Sequence, residues 1–246
     1  MTYCVGLRLN RGLVFMLDTR TNLGVDNIST FRKMFTWSNP GERVITMLTS
    51  GNLATTQGVV SLIDERTKVP AERSPSILEA PTLFQVARLV GQTLRDVIQS
   101  NALSVQTADS TFNATIILGG QIATSEPRLF LIYPEGNFIE ASADTPFFQI
   151  CETKYGRPIL VRAYDPDMTF KDAVKLLMVS FDSTMKANPS VGLPLNVQTY
   201  ERNLLSRGYE RRFEASDPYY QAISSGWGKA LKKAIDWLPD FKFKLR

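Results

Sequence analysis

The second residue of this chain could do chemistry on its own. The sequence opens Met1-Thr2-Tyr3-Cys4-Val5-Gly6-Leu7, and a small residue at position two lets the initiator methionine be trimmed. Trimming leaves Thr2 with a hydroxyl nucleophile and a free α-amine on one residue. That amine titrates at roughly 7.7–8.0, so near neutral pH it can serve as the base. The 246 residues include no histidine. Ser-His-Asp and Cys-His catalysis are therefore excluded, and a hydrolase of this composition must use chemistry that needs no imidazole. With two cysteines and no histidine, an ordinary zinc site lacks its ligands. Neither a Walker loop nor a dinucleotide fingerprint occurs, and Gly119-Gly120 alone is no motif. No cofactor or metal is expected.

The elements that must position Thr2 follow from periodicity. Tyr3, Val5, Leu7 and Leu9 share one face of a strand, Asn10-Arg11-Gly12 is a turn, and Leu13 to Leu17 returns as a second strand. Residues 30–37 and 43–49 read as further strands, broken by Ser50-Gly51-Asn52. A helix is predicted over about 53–68, a proline-bearing loop over 69–81, and an amphipathic helix over 82–101 carrying Leu83, Ala87, Val90, Leu94 and Val97. Strands are predicted over 111–122, 128–133, 137–142 and 147–151, and a short helix over 156–164. Ala173, Leu176, Leu177, Phe181 and Thr184 line a helix over 169–187, with Thr169 as its N-cap and Asn188-Pro189 as its stop. A strand pair at 195–203 and 208–214 precedes a last helix over 217–238. Runs of strands and runs of helices are segregated. Two antiparallel sheets with helices outside them satisfy that order, and a repeating βαβ chain does not.

The length suits one domain spanning 1–246, with 217–246 as a C-terminal helix and tail, because no linker or internal repeat interrupts it. Hydrophobic residues make up 43% of the chain, enough for a sizeable core, and the net charge is +4. That mild, dispersed charge points to no nucleic-acid partner. Cys4 and Cys151 sit in apolar, strand-like context and are expected as buried reduced thiols. Arg8 and Arg11 interrupt the first apolar stretch, so no signal peptide is read there, and no run approaches the ~20 apolar residues of a membrane span. The expected location is the cytoplasm.

An ordered set of residues carries a resemblance. Thr2, Asp18-Thr19-Arg20-Thr21-Asn22, Lys33 and Ser50-Gly51 match the layout of proteasome-type β subunits. Gly24-Val25-Asp26, Ser29-Thr30-Phe31-Arg32-Lys33-Met34, Tyr133-Pro134-Glu135-Gly136-Asn137, Glu152-Thr153-Lys154-Tyr155-Gly156 and Asn188-Pro189-Ser190-Val191-Gly192 resemble the bacterial branch called Anbu. The resemblance covers nearly the whole chain. It implies an α+β fold of N-terminal nucleophile hydrolase type: a four-layer αββα sandwich. It also implies roles. Thr2 Oγ1 would attack a scissile carbonyl while the Thr2 amine takes the proton, through a water. Lys33 would stay cationic beside the nucleophile, and Asp18 would pair with Lys33. The Gly51 N–H would face the oxyanion. Ser190 would support the Thr2 amine, with Asp182 in the preceding helix as a further candidate. The chain departs from many relatives in having Cys151 where they carry glycine and Glu152 where a serine is usual.

The resemblance implies a homo-oligomer, as a ring or an open helical assembly, acting on peptide or protein. ATPase or amide-chemistry partner enzymes would be compatible with it. The alternatives are a scaffold or peptide-binding assembly protein that does not cleave, and acyl transfer in which an amine replaces water. In the tail 226–246, Trp227, Trp237, Phe241 and Phe243 are mixed with Lys229, Lys232, Lys233, Lys242 and Lys244. That composition is expected to pack on the same subunit or on its neighbour, with membrane-surface or partner docking as the other reading.

Overall fold

The computed structural model describes residues 2–22, 28–68, 75–103 and 112–243. Met1, the Gly24-Val25-Asp26 word and the first part of the predicted 69–81 loop lie outside the described residues.

The chain begins as a hairpin, β1 (Tyr3–Leu9) and β2 (Gly12–Asp18), followed by short β3 (Arg20–Asn22) and β4 (Ile28–Thr30), which pair with each other. Next come β5 (Met34–Asn39), β6 (Arg43–Gly51), α1 (Leu53–Lys68) and α2 (Leu83–Leu103). Strands β7 (Ala114–Ile122), β8 (Arg128–Ile132), β9 (Phe138–Glu140) and β10 (Phe147–Cys151) follow. The last part holds α3 (Arg157–Ala163), α4 (Phe170–Ala187), β11 (Leu195–Glu201), β12 (Tyr209–Phe213) and α5 (Pro218–Asp236). One five-stranded antiparallel sheet runs β10-β1-β2-β11-β12 and a second runs β5-β6-β7-β8-β9.

Three separate apolar clusters define four layers. Between the sheets lie Leu13, Phe15 and Leu17 with Leu48, Ile117 and Leu129. The outer face of the first sheet gives Tyr3, Val5 and Leu7 to α3 and α4 through Leu160, Leu177 and Phe181. The outer face of the second gives Ile45 and Met47 to α1 and α2 through Val59, Ile63, Val86 and Val90. Strands β1, β2 and β6 are buried on both faces; β2 accordingly reads as a nearly unbroken apolar run, whereas β6 buries the polar Thr46 and Thr49 among its apolar residues. Tyr3, Val5, Leu7 and Leu9 face the helices, as their spacing predicts, and Cys4 faces the other sheet. Gly119 belongs to packing: a β-carbon there would lie 2.7 Å from the Phe15 ring.

Helix ends follow the predicted caps. Thr169 accepts the Asp172 N–H at 3.2 Å and α4 stops before Asn188. Asn52 accepts the Thr55 N–H at 3.1 Å at the start of α1, a side-chain cap of the usual kind.

Two of the boundaries that differ from the sequence reading bear on the site. The single strand predicted over 30–37 is broken, with residues 31–33 outside any strand. Phe31 N–H donates to Thr19 O at 3.1 Å, and Lys33 O accepts from Thr49 N–H at 2.9 Å. The segment therefore crosses between β-elements instead of extending β5. Ser50 and Gly51, predicted to break a strand, complete β6, with Gly51 paired to Ala114.

Candidate active site

The N-terminus is held at the end of β1 by three elements. Tyr3 N–H donates to Asp18 Oδ1 at 2.6 Å, tying the start of β1 to the end of β2. The Thr2 carbonyl accepts Glu152 N–H at 3.0 Å, from the residue following β10. Thr2 N–H donates to Cys151 Sγ at 3.3 Å. Behind them the Tyr3 ring stacks 4.3 Å from that of Phe181. Its hydroxyl meets Ser180 Oγ at 2.8 Å and Gln149 Nε2 at 2.6 Å. Burial pushes that phenol up to about 12, so it serves as a neutral anchor.

Lys33 reaches this point from the irregular crossing. Its backbone is fixed on β6 through Thr49, and its buried side chain donates to Thr2 Oγ1 and to the Arg20 carbonyl. An ammonium against the Thr2 hydroxyl favours the alkoxide and disfavours a second positive charge nearby. The nucleophile and cation read from sequence are thus in contact.

The expected direct pairing of Asp18 with Lys33 needs correction. Among the described residues no ion pair within 4.0 Å joins them. Asp18 is fully buried, Oδ1 is taken by Tyr3 N–H, and Oδ2 has no protein partner. The ammonium is instead spent on Thr2 and the Arg20 carbonyl. Burial pushes the Asp18 carboxyl up to about 6, against the opposing pull of the Lys33 charge and the Tyr3 N–H. Coulomb attraction therefore reaches across the gap without a contact.

This has a measurable sign. An unfolded aspartate titrates near 3.9, so between roughly pH 4 and 6 the folded chain holds a proton that the unfolded chain has released. Stability should fall as pH rises through that window, by about 3 kcal/mol for the full shift, and level off above it. Asp18→Asn keeps an acceptor for Tyr3 N–H and removes the titration. Urea midpoints across the window should show the variant gaining on the wild type by about that amount. A difference that does not move with pH would contradict the assignment.

Gly51 stands two residues past Thr49, which binds Lys33, at φ +116°. A β-carbon there would come 2.4 Å from Asn113 O and 2.7 Å from Ala114 Cα, so only glycine fits.

Ser190 is placed near the site through intermediaries. Ser190 N–H donates to Asn188 Oδ1 at 3.0 Å, and Asn188 Nδ2 donates to Glu152 Oε2 at 2.8 Å. The partner of the Thr2 nitrogen is Cys151, not Ser190. Asp182 accepts from the Tyr220 hydroxyl at 3.2 Å, where α5 crosses α4. Cys4 is buried as expected, but Cys151 is exposed.

Sequence reasoning passed over Glu152 and Asn188 as site residues. Glu152 is buried, receives Asn188, and accepts Lys154 N–H at 2.9 Å through its other oxygen. The available signal was a carboxylate immediately after a buried strand, with an amide at the end of the facing helix.

A family model described as proteasome subunit matches residues 2–198. A solved Anbu (ancestral β-subunit) from Yersinia bercovieri is 43% identical with a TM-score of 0.91, covering 98% of this chain and 100% of that one. The chain belongs to the Anbu branch of the proteasome subunit family. An Anbu (Gly-1) mutant from Hyphomicrobium sp. strain MC1 is 46% identical, with a TM-score of 0.90 and coverage of 99% and 100%. The Anbu complex of Pseudomonas aeruginosa, solved as a helical assembly, is 41% identical with a TM-score of 0.90 and covers 98% of each chain. No curated protein sequence matches. The layers found above are those of this N-terminal nucleophile fold, and among the described residues no helix is long and apolar enough to cross a membrane.

Proposed function

We propose that this chain is a cytoplasmic threonine peptidase or related amide hydrolase, working within an assembly of its own copies. The observation that carries the reading is the Lys33 ammonium set against the Thr2 hydroxyl at the head of β1. Removal of Met1 converts the Thr2 nitrogen into an amine. Thr2 Oγ1 then attacks the substrate carbonyl, and its proton passes through a water to that amine. Lys33 holds the oxygen as charge develops, and the Gly51 N–H receives the oxyanion. The C–N bond breaks as the Thr2 ammonium returns the proton to the leaving amine. Water hydrolyses the resulting ester and restores Thr2. Asp18 offsets the buried Lys33 charge at a distance. Ser190, through Asn188 and Glu152, braces the strand end that holds Thr2.

Intact mass tests this directly. Trimmed protein is about 131 Da lighter by one methionine residue. Treated with a β-lactone, it should gain one adduct mapping to Thr2. Trimmed protein that takes up none counts against the reading.

Assembly rests on α5. Tyr220, Ile223 and Trp227 pack toward α4, with Trp227 Nε1 donating to Ser183 Oγ at 3.2 Å. The same helical stripe continues through Leu231 and Ile235, and Leu238 follows just past the helix end; all three are exposed, the last two at 66%. The tail beyond adds exposed Trp237, Phe241 and Phe243. A second copy is the proposed cover, supported by the helical assembly of the Pseudomonas aeruginosa relative. Contacts between unlike surfaces of identical subunits propagate into rings or helices. Ile235→Asp with Leu238→Asp should abolish species larger than the smallest oligomer in light scattering, with the thermal midpoint of that species retained. Undiminished assembly would exclude α5 from the contact.

A further inference from the structure

Cys151 makes one polar contact with the site and holds an unfavourable backbone to do so. It ends β10 opposite Tyr3, and its sulfur accepts the Thr2 N–H at 3.3 Å. Its φ is +68°, in the left-handed region that disfavours any residue with a β-carbon. The side chain is exposed and belongs to none of the three apolar clusters. Core packing therefore does not offset the strain. The next residue, Glu152, fixes the Thr2 carbonyl, and Lys33 fixes the Thr2 hydroxyl. What these contacts do not set is the rotation about N–Cα that directs the nitrogen's hydrogens and, once Met1 is removed, its lone pair.

We propose that Cys151 is a positioning residue that orients the Thr2 nitrogen. The inference rests on the reading of Thr2 as nucleophile. In the trimmed chain the N–Cα bond has three staggered settings, and only one turns the amine lone pair toward the proton leaving Oγ1. A sulfur acceptor for one N–H removes the setting that aims the lone pair at the sulfur and leaves two, one of them productive. Sulfur is a weak acceptor, suited to a group that must gain and lose a proton in each cycle.

The charged and titratable groups around the nitrogen are Lys33 on the crossing segment, Asp18 at the end of β2, and Glu152 beyond β10. The buried Cys4 thiol lies on the same side of β1 as Thr2, within electrostatic reach of Asp18, Lys33 and Cys151. Substitution at Cys151 leaves each of these residues in place and removes only the electrostatic coupling of Cys151 to Cys4. The test is the rate of β-lactone acylation at Thr2 against pH, read by intact mass, in trimmed wild type and in Cys151→Ala, Cys151→Gly and Cys151→Ser.

The alanine and glycine variants should lose roughly a third of the high-pH rate, as the productive setting falls from one of two to one of three. Their midpoints should move to lower pH, because the ammonium loses an acceptor. Serine, which keeps an acceptor, should recover most of both. Glycine should raise the unfolding midpoint by relieving φ, so its slower acylation cannot be assigned to instability. Profiles that superimpose on wild type overturn the inference and leave the Thr2 reading standing. Equal losses in serine and alanine also overturn it, by pointing to volume alone. No adduct in trimmed wild type overturns the Thr2 reading, and this inference with it.

Discussion

Lys33→Ala is expected to slow β-lactone acylation of Thr2 by about a hundred- to a thousandfold, the usual effect of removing a preorganised group from developing oxyanionic charge. The Lys33 ammonium contacts Thr2 Oγ1 and is itself held by the Arg20 carbonyl. Alanine removes the only cation in contact with the nucleophile among the described residues. It also leaves Asp18 without the charge that opposes its burial. The carboxyl then becomes harder to ionise, and the site becomes more nearly neutral. Lys33→Arg should not restore the rate. The guanidinium is planar and wider, whereas the contacts to Thr2 Oγ1 and the Arg20 carbonyl are made by one compact ammonium nitrogen. The measurement is the rate of adduct formation by intact mass, with Thr2→Ala as the blank. A rate within threefold of wild type would remove Lys33 from the proposed mechanism.

Gly51→Ala is expected to lose about 2–4 kcal/mol of stability, combining positive-φ strain with a backbone clash. The two atoms that a β-carbon would meet, Asn113 O and Ala114 Cα, are both main chain, so no side-chain rotamer can relieve it. Asn113 O also accepts Asn52 N–H at 2.9 Å, and Asn52 caps α1. The end of β6 and the first turn of the helix must therefore shift together. Acylation should fall at least tenfold at a temperature where the variant remains folded, since displacing one oxyanion donor removes much of its effect. Urea unfolding and adduct rate should be measured on the same preparation. Lost stability with an unchanged rate would leave Gly51 as a purely structural glycine and assign the oxyanion elsewhere.

The sequence by itself determined the layers and offered Thr2 as the candidate nucleophile. Alternation in β1, the continuous apolar run of β2 and the helical stripes of α2 and α4 each select one arrangement, because burial is proportional to apolar area and insists on a matching face. The absence of histidine, a matter of composition alone, directed the proposed mechanism to the Thr2 amine as its base. Lys33 and Gly51 were also legible, as positions in an ordered pattern.

What they touch was decided only in three dimensions. A strand through 30–37 would have fixed Lys33 by alternation. The break at 31–33 depends on hydrogen bonds to Thr19 and Thr49, residues distant in sequence. Asp18 was expected to pair with Lys33, yet a backbone N–H from the neighbouring strand took its oxygen. Cys151 was expected to be buried, because its neighbours are apolar. Instead it sits at a strand end with positive φ, where chain direction is set by pairing with Tyr3 and not by local preference. Periodicity reports which face a residue occupies. Whether two polar groups meet depends on register between distant strands, and that is settled only when the whole sheet has closed.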